Sequence, residues 1–177
     1  MSATKVGLIG AGNMGHPMAM RLLEQGIDLT VCDRNPDAVR SLIEHGAKSA
    51  PSAKALADSC EVIIASLPGR ETSVAVALGP DGISSGRAVR VYVETSTLGS
   101  KIIQTIADGL AERNIGMIDA PISGGPPRAR EGKLAVLASG AKGDFDLAGP
   151  ILEKVAESLF YLGEKPGISQ VAKIINN

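Results

Sequence analysis

The sequence predicts an α/β fold: a doubly wound, mainly parallel β-sheet with helices on both faces. Short apolar runs suited to buried strands alternate with helix-forming segments along the chain. A glycine-rich turn at residues 10–15 joins the first run to the first helical segment. The 177 residues are 44% hydrophobic but only 2% aromatic, so we expect one domain with an aliphatic core, or one domain and a fragment of another.

The first strand, first helix and second strand form the best-defined unit. Residues 5–9 are predicted as a buried strand, and residues 14–24 as a helix that ends before Gly26. The second strand covers residues 29–32 and runs directly into Asp33. A strand–helix–strand unit of this kind places its two strands parallel in one sheet.

The remaining elements continue the alternation. Asn35 can cap the next helix, and Pro36 suits its first position. Further helices are predicted at residues 36–44, 52–59, 71–78, 102–113 and 144–155. Further strands are predicted at residues 62–66, 89–93, 116–119, 134–138 and 158–162. This order predicts parallel strands joined by right-handed crossovers in a doubly wound sheet.

Gly10, Gly12 and Gly15 form a G-x-G-x-x-G motif at the first strand–helix turn. Such a turn points free backbone N–H groups and the positive end of the helix at one spot, where a pyrophosphate fits. Asp33 follows Gly15 by 18 positions and can accept hydrogen bonds from an adenosine ribose. The pattern favours dinucleotide binding over a merely structural turn. The turn residues expected to contact the cofactor are Gly10, Ala11, Gly12, Asn13, Met14 and Gly15.

Two adjacent side chains bear on the kind of dinucleotide. Asp33 favours NAD(H), because its carboxylate can bond a free ribose 2′-hydroxyl and would repel a 2′-phosphate. Arg34 keeps NADP(H) possible, because a guanidinium can pair with that phosphate.

Charge and cysteine content argue against several classes of function. The net charge of −1 gives no reason to expect a nucleic acid or an anionic membrane as partner. Cys32 and Cys60 stand alone, so we expect neither a disulfide framework nor a metal site. The first residues lack a signal-peptide pattern and no apolar run is long enough to span a bilayer, so a soluble cytoplasmic protein is expected.

One segment beyond a strand end is unusual, and ligands of such sheets bind beyond the carboxyl ends of the strands. Ser123 is followed by Gly124 and Gly125, which together offer a hydroxyl and accessible backbone N–H groups suited to a carboxylate. A flexible loop after the strand at 116–119 explains the same residues equally well.

Three motifs in this order resemble the β-hydroxyacid dehydrogenase family, and the resemblance covers the whole chain. They are the glycine loop G-L-I-G-A-G-N-M-G-H-P-M-A, the segment D-A-P-I-S-G-G at 119–125, and the segment at 167–177 that ends K-I-I-N-N. The resemblance implies transfer of a hydride between a nicotinamide cofactor, NAD(H) or NADP(H), and a small β-hydroxyacid or semialdehyde. The substrate would be a small carboxylate of the 3-hydroxyisobutyrate or tartronate semialdehyde type.

The resemblance also implies roles for particular residues. Lys173 would be the catalytic residue and Asn177 its partner, and both would contact the substrate. Residues that would hold the substrate with them are Ser123, Gly124 and Gly125. Residues that would line the nicotinamide side are Leu67, Pro68 and Ser96. Helical residues four apart share a face, so Lys173 and Asn177 could address one substrate oxygen, to which Lys173 would give a proton.

The sequence departs from the family pattern at positions that bear on the substrate rather than on the reaction. Glu94 stands where Asp is usual, Lys133 where Thr is common, and Ser169 replaces a glycine of the third motif. Two prolines and two arginines at 126–130 predict a stiff, basic substrate loop.

The resemblance implies a division of the chain and a larger protein. Residues 1–162 would form a Rossmann-like nucleotide-binding domain, and residues 163–177 the truncated start of an interdomain helix. An all-helical C-terminal domain, absent from this chain, would close the cleft and form a homo-oligomer. Two other hypotheses stay open: a related imine reductase, a class that usually lacks the lysine, and a non-catalytic dinucleotide-binding module.

Overall fold

Six parallel strands form the main sheet of the computed structural model, which describes residues 4–176. In chain order they are β1 (Val6–Ile9), β2 (Leu29–Cys32), β3 (Lys48–Ser49), β4 (Val62–Ala65), β5 (Val91–Glu94) and β6 (Gly116–Asp119). Their order across the sheet is β3-β2-β1-β4-β5-β6. The sheet therefore grows in opposite directions from β1, which makes the crevice between β1 and β4 the switch point of a doubly wound fold.

Helices cover both faces of this sheet. They are α1 (Gly15–Glu24), α2 (Pro36–Glu44), α3 (Ala53–Ala57), α4 (Arg70–Leu78), α5 (Ser100–Ala111), α6 (Gly125–Glu131), α7 (Lys142–Leu152) and α8 (Ile168–Asn176), with a short 3-10 helix at Ile83–Ser85. One apolar cluster packs Leu8 and Ile64 against α1, α2 and α7, and a second packs Ile63 and Tyr92 against α3, α4 and α5. Neighbouring strand residues thus face opposite clusters, as the two-residue period of a strand requires. The predicted α/β fold with helices on both faces is confirmed.

Among the helices of residues 4–176, none combines the length and the apolar content that crossing a bilayer requires.

A second, three-stranded sheet lies beside the end of β6. It contains β7 (Ile122–Ser123), β8 (Leu134–Ala138) and β9 (Ala156–Tyr161), with β7 antiparallel and β9 parallel to β8. A bridge between Asp119 and Ser139, with both N···O distances 2.9 Å, connects the two sheets. The strands predicted near 134–138 and 158–162 therefore form, but outside the main sheet. The segment 124–133 is too short to return the chain parallel to β7, because a parallel crossover needs about a dozen residues or more.

Two further segments correct the prediction. Residues 126–130, predicted as a loop, belong to helix α6, because Pro126 and Pro127 occupy its first turn, where the missing N–H costs no hydrogen bond. The helix expected within 163–177 begins at Ile168. The two-residue strands β3 and β7 are too short for an apolar pattern to predict.

Candidate active site

A cleft of about 670 Å³ opens beyond the carboxyl ends of β1, β2 and β4, at the switch point of the sheet. Its walls include most of the side chains and turn residues that the sequence assigns to the cofactor: Gly10, Gly12, Asn13, Met14, Asp33, Arg34, Leu67 and Pro68. The other assigned residues are Ala11, Gly15 and Ser96, which contact residues of the cleft wall. Ala11 bonds Asp33, Gly15 packs against Gly10, and Ser96 bonds Leu67. A cleft therefore lies where the glycine motif predicts a cofactor-binding site.

The backbone of the glycine loop is shaped by two close approaches. Gly10 has a φ of +91°, and a Cβ atom on it would lie 2.1 Å from the carbonyl oxygen of Ser66. A Cβ atom on Gly15 would lie 1.7 Å from the carbonyl oxygen of Gly10. Both positions therefore exclude any side chain. A Cβ atom on Gly12, in contrast, would meet no atom within 4 Å, because Gly12 faces the open cleft.

Asp33 connects the end of β2 to the glycine loop. Its Oδ2 accepts a hydrogen bond of 2.6 Å from the Ala11 N–H, and its Oδ1 accepts one of 2.6 Å from the Asn35 N–H. Each carboxylate oxygen can accept a second hydrogen bond, so both keep acceptor capacity toward the cleft. Arg34 is exposed at the same rim.

Ser96 holds the wall formed by Leu67 and Pro68. Its hydroxyl accepts a 3.0 Å hydrogen bond from the Leu67 N–H and donates one of 3.0 Å to the Leu67 carbonyl oxygen. Its own N–H donates to Oε1 of Glu94, a fully buried residue whose Oε2 accepts from the Tyr92 hydroxyl at 2.9 Å. Burial raises the pKa of the Glu94 carboxyl. The Glu94 carboxylate therefore holds the Ser96 backbone in the turn that follows β5.

Helix α8 brings Lys173 to Ser123, 50 positions earlier in the chain. The Lys173 Nζ donates a hydrogen bond to the Ser123 Oγ, and Lys173 is only 7% exposed. Gly124 and Gly125, with φ of +135° and +72°, follow Ser123 at the start of α6. Asn177 lies outside the described residues. The structure therefore brings Lys173 together with the Ser123–Gly125 segment.

A buried carboxylate binds the start of α8, although the sequence analysis names it only as the first residue of the 119–125 motif and gives it no role in the site. Asp119, at the end of β6, is fully buried, and burial raises the pKa of its carboxyl to about 6. Its Oδ2 accepts from the N–H groups of Gly167 and Gln170 at 3.1 and 3.2 Å and from the Ser139 hydroxyl at 3.5 Å. Its Oδ1 accepts from the Gln170 side-chain amide at 2.6 Å. The sequence gives no signal of this contact, because only the fold brings Gln170, one helical turn before Lys173, to Asp119.

A family model describing the NAD binding domain of 6-phosphogluconate dehydrogenase matches residues 5–163. The 3-hydroxyisobutyrate dehydrogenase of Pseudomonas aeruginosa is 37% identical over 175 residues, which cover 98% of this chain and 58% of that enzyme. The chain therefore spans about three fifths of the length of this relative.

Solved structures share the fold. The structure of Psf3 in complex with NADP+ and 2-OPP has a TM-score of 0.90 at 29% identity, covering 97% of this chain and 61% of that one. The imine reductase of Streptomyces aurantiacus has a TM-score of 0.88 at 26% identity, covering 97% of this chain and 60% of that one. A nucleotide cofactor agrees with the matched family model and with the cleft at the glycine loop. The chain belongs to the β-hydroxyacid dehydrogenase family and corresponds to its NAD-binding domain.

Proposed function

We propose that the protein containing this chain is an NAD(P)-dependent oxidoreductase that transfers a hydride between nicotinamide and a small β-hydroxyacid or semialdehyde. The contact between Lys173 and Ser123 carries the proposal, because it joins a proton donor to a carboxylate anchor. This pair lies beyond the carboxyl ends of the strands, as the cleft of the glycine loop does. Membership of the family supports the same reaction class.

The residues of the chain would bind and protonate the substrate, while the bound nicotinamide supplies or accepts the hydride. The Ser123 hydroxyl and the N–H groups of Gly124 and Gly125 would hold the substrate carboxylate and so fix the orientation of the carbonyl. Lys173 would donate a proton to the carbonyl oxygen as negative charge develops there. By the family resemblance, Asn177 would contact the same oxygen.

Replacement of Lys173 tests the reaction. In a protein of the relatives' full length, Lys173→Ala should lower kcat by on the order of 10²-fold or more, as the loss of a general acid does. NADH affinity should not change, and Ser123→Ala should act mainly on KM. The assay begins with tartronate semialdehyde and 3-hydroxyisobutyrate, and Lys101→Ala, an exposed lysine of α5, is the matched control. Near-normal turnover by Lys173→Ala would overturn the assignment.

We propose NAD(H) as the preferred cofactor. The free acceptor capacity of Asp33 toward the cleft supports this preference. Arg34 at the same rim, and the NADP+ bound in the Psf3 structure, are the observations on the other side.

Imine reduction is the second candidate, since a solved imine reductase shares this fold. Lys173 argues against it, because imine reductases usually lack that lysine. Turnover of a cyclic imine, without turnover of either semialdehyde or hydroxyacid, would favour the second candidate. Cofactor binding without turnover of any of these compounds would indicate a non-catalytic binding module.

We further propose that residues 1–162 form the nucleotide-binding unit and that α8 carries its contact with a second unit. Helix α8 packs on α5, β6 and β8, yet Val171, Ile174 and Ile175 on it are 51%, 61% and 81% exposed. In a protein of the relatives' full length, a second, helical unit would cover these side chains and contribute to a homo-oligomer.

A further inference from the structure

The Gln170 side chain uses its entire hydrogen-bonding capacity. Its carbonyl oxygen accepts from the N–H groups of Leu98 and Gly99 at 2.8 and 2.9 Å, beyond the end of β5. Its amide donates to the Ser96 carbonyl oxygen at 3.2 Å and to Asp119 at 2.6 Å, beyond the ends of β5 and β6. A primary amide has two donors and two acceptor sites, and all four are occupied. Since Gln170 is fully buried, any other orientation would leave buried polar groups unpaired.

Asp119 and Gln170 each stand a short distance along the backbone from one member of the Lys173–Ser123 pair. Gln170 precedes Lys173 by three residues, so both lie on the same face of α8. Asp119 precedes Ser123 by four residues on the segment that leads from β6 into β7. The Asp119 carboxylate therefore binds the first turn of α8, the helix that carries Lys173. Asp119 itself belongs to the segment that carries Ser123.

We propose that Asp119 and Gln170 are positioning residues, which fix the register of α8 against β6 and thereby hold Lys173 on Ser123. The role of Lys173 in catalysis rests on the proposed function, whereas the geometric claim does not. Neither residue touches the reacting atoms in this scheme, and both act through Lys173.

The energetic cost of this arrangement argues against a purely stabilising role. A buried charged group is generally no more stabilising than apolar side chains of similar volume. Burial raises the pKa of Asp119 to about 6 although several donors contact it, which shows that the site disfavours the charge that it contains. An arrangement that is costly but fully hydrogen-bonded specifies one position of α8, which an apolar contact would specify less sharply.

The test measures the rate at which Lys173 reacts with an amine-reactive reagent, by competitive labelling and mass spectrometry on the intact chain. Lys54, which forms a 2.6 Å ion pair with Asp58 far from α8, is the internal reference. In Asp119→Asn, Lys173 labelling relative to Lys54 should rise about tenfold or more, the scale expected for the loss of a hydrogen bond to a charged group. Gln170→Glu, the second variant, keeps acceptors for Leu98 and Gly99 but removes the amide donors, and should give the same rise.

Glu61→Gln is the matched control. Glu61 is a half-buried carboxylate just before β4, at the amino ends of the strands, and it accepts a hydrogen bond from the Lys5 N–H at 3.3 Å. It should leave Lys173 labelling unchanged. The inference is overturned if Asp119→Asn leaves Lys173 labelling unchanged, and equally if Lys173 and Lys54 rise together, which would indicate general loosening of the fold. Should Asp119→Asn not fold, Gln170→Glu decides by the same criteria. Labelling reports position whether or not the protein reduces a semialdehyde, so failure here is distinct from failure of the turnover assay.

Discussion

Gly12 and Gly15 both belong to the glycine loop, but their surroundings in the structure differ. Gly15→Ala should lower the free energy of unfolding by about 1–3 kcal/mol or more, because its Cβ would meet the Gly10 carbonyl oxygen at 1.7 Å. Gly12→Ala should change stability by less than about 0.5 kcal/mol, since its Cβ would enter open cleft space. Gly12→Ala should still weaken NADH binding, by filling the space that a pyrophosphate needs. Denaturant unfolding and NADH titration check the pair, and equal stability losses would contradict the prediction.

Asp33 and Arg34 divide the discrimination between the two nicotinamide cofactors. We expect the chain to bind NADH more tightly than NADPH, and Arg34→Ala to weaken NADPH binding about tenfold while sparing NADH, because only NADPH carries the 2′-phosphate with which the guanidinium forms a charge-assisted pair. Fluorescence titration with both cofactors measures the effect. Arg113→Ala, an exposed arginine after α5 at the opposite edge of the sheet, serves as control. Tighter binding of NADPH by the unchanged chain would show that Arg34 dominates the pocket.

Asp119 makes stability depend on pH with a definite sign. Because its folded-state pKa of about 6 lies above the ordinary 3.8, the folded state binds more protons between these values. Its contribution to stability is therefore greatest below pH 3.8 and is lost as the pH rises through about 6. The unchanged chain should lose on the order of 2 kcal/mol relative to Asp119→Asn between pH 4 and pH 7, at about 1.36 kcal/mol per pKa unit and with part of the shift already lost at pH 4. Urea unfolding of both proteins across this range measures the difference, and a constant difference would contradict the prediction.

At the scale of elements, the sequence predicts what has a local signature. The unit β1–α1–β2 follows from an apolar run, a glycine turn and Asp33, and the structure places all of them at one cleft. Helix α6 is harder to predict, because Pro126 and Pro127 indicate a loop unless they are known to occupy a first helical turn. The sequence also does not predict that β7, β8 and β9 form a separate sheet. The pairing and direction of a strand depend on its neighbours in space, which are set by the folding of the whole chain.

Part of the candidate site is likewise predictable from the sequence, and part is visible only in the structure. The motif resemblance assigns Lys173 and Ser123, and the structure places them in contact. Asp119 and Gln170 meet only after β6 and α8 have packed together, over a separation of 51 residues. Neither residue type nor spacing indicates that pairing in advance, because glutamine in a helix is ordinarily a solvated side chain.

At the scale of the whole molecule, cofactor binding and turnover should separate. We expect this chain to bind NAD(H) by itself, because the residues that line the cleft, within 9–76, and Ser96, which holds its wall, all belong to the main sheet and its connections. Its turnover should fall well below that of a protein of the relatives' full length, because a second unit packed on the exposed apolar side chains of α8 would exclude water from the site. Calorimetric titration with NADH and a reductase assay on both proteins measure the two properties. Full turnover by this chain would contradict the expectation, as would failure to bind NADH.

The bridge between Asp119 and Ser139 marks where the chain passes from one task to another. Residues 9–76 line the nucleotide cleft, whereas the contact between Ser123 and Lys173 is built from residues beyond position 118. The nucleotide cleft and the Lys173–Ser123 contact thus draw on different stretches of the chain, although α1 and α6 pack together and Arg130 pairs with Glu24. Substitutions around α6 and β7 should therefore alter the surroundings of Ser123 while leaving the lining of the nucleotide cleft unchanged.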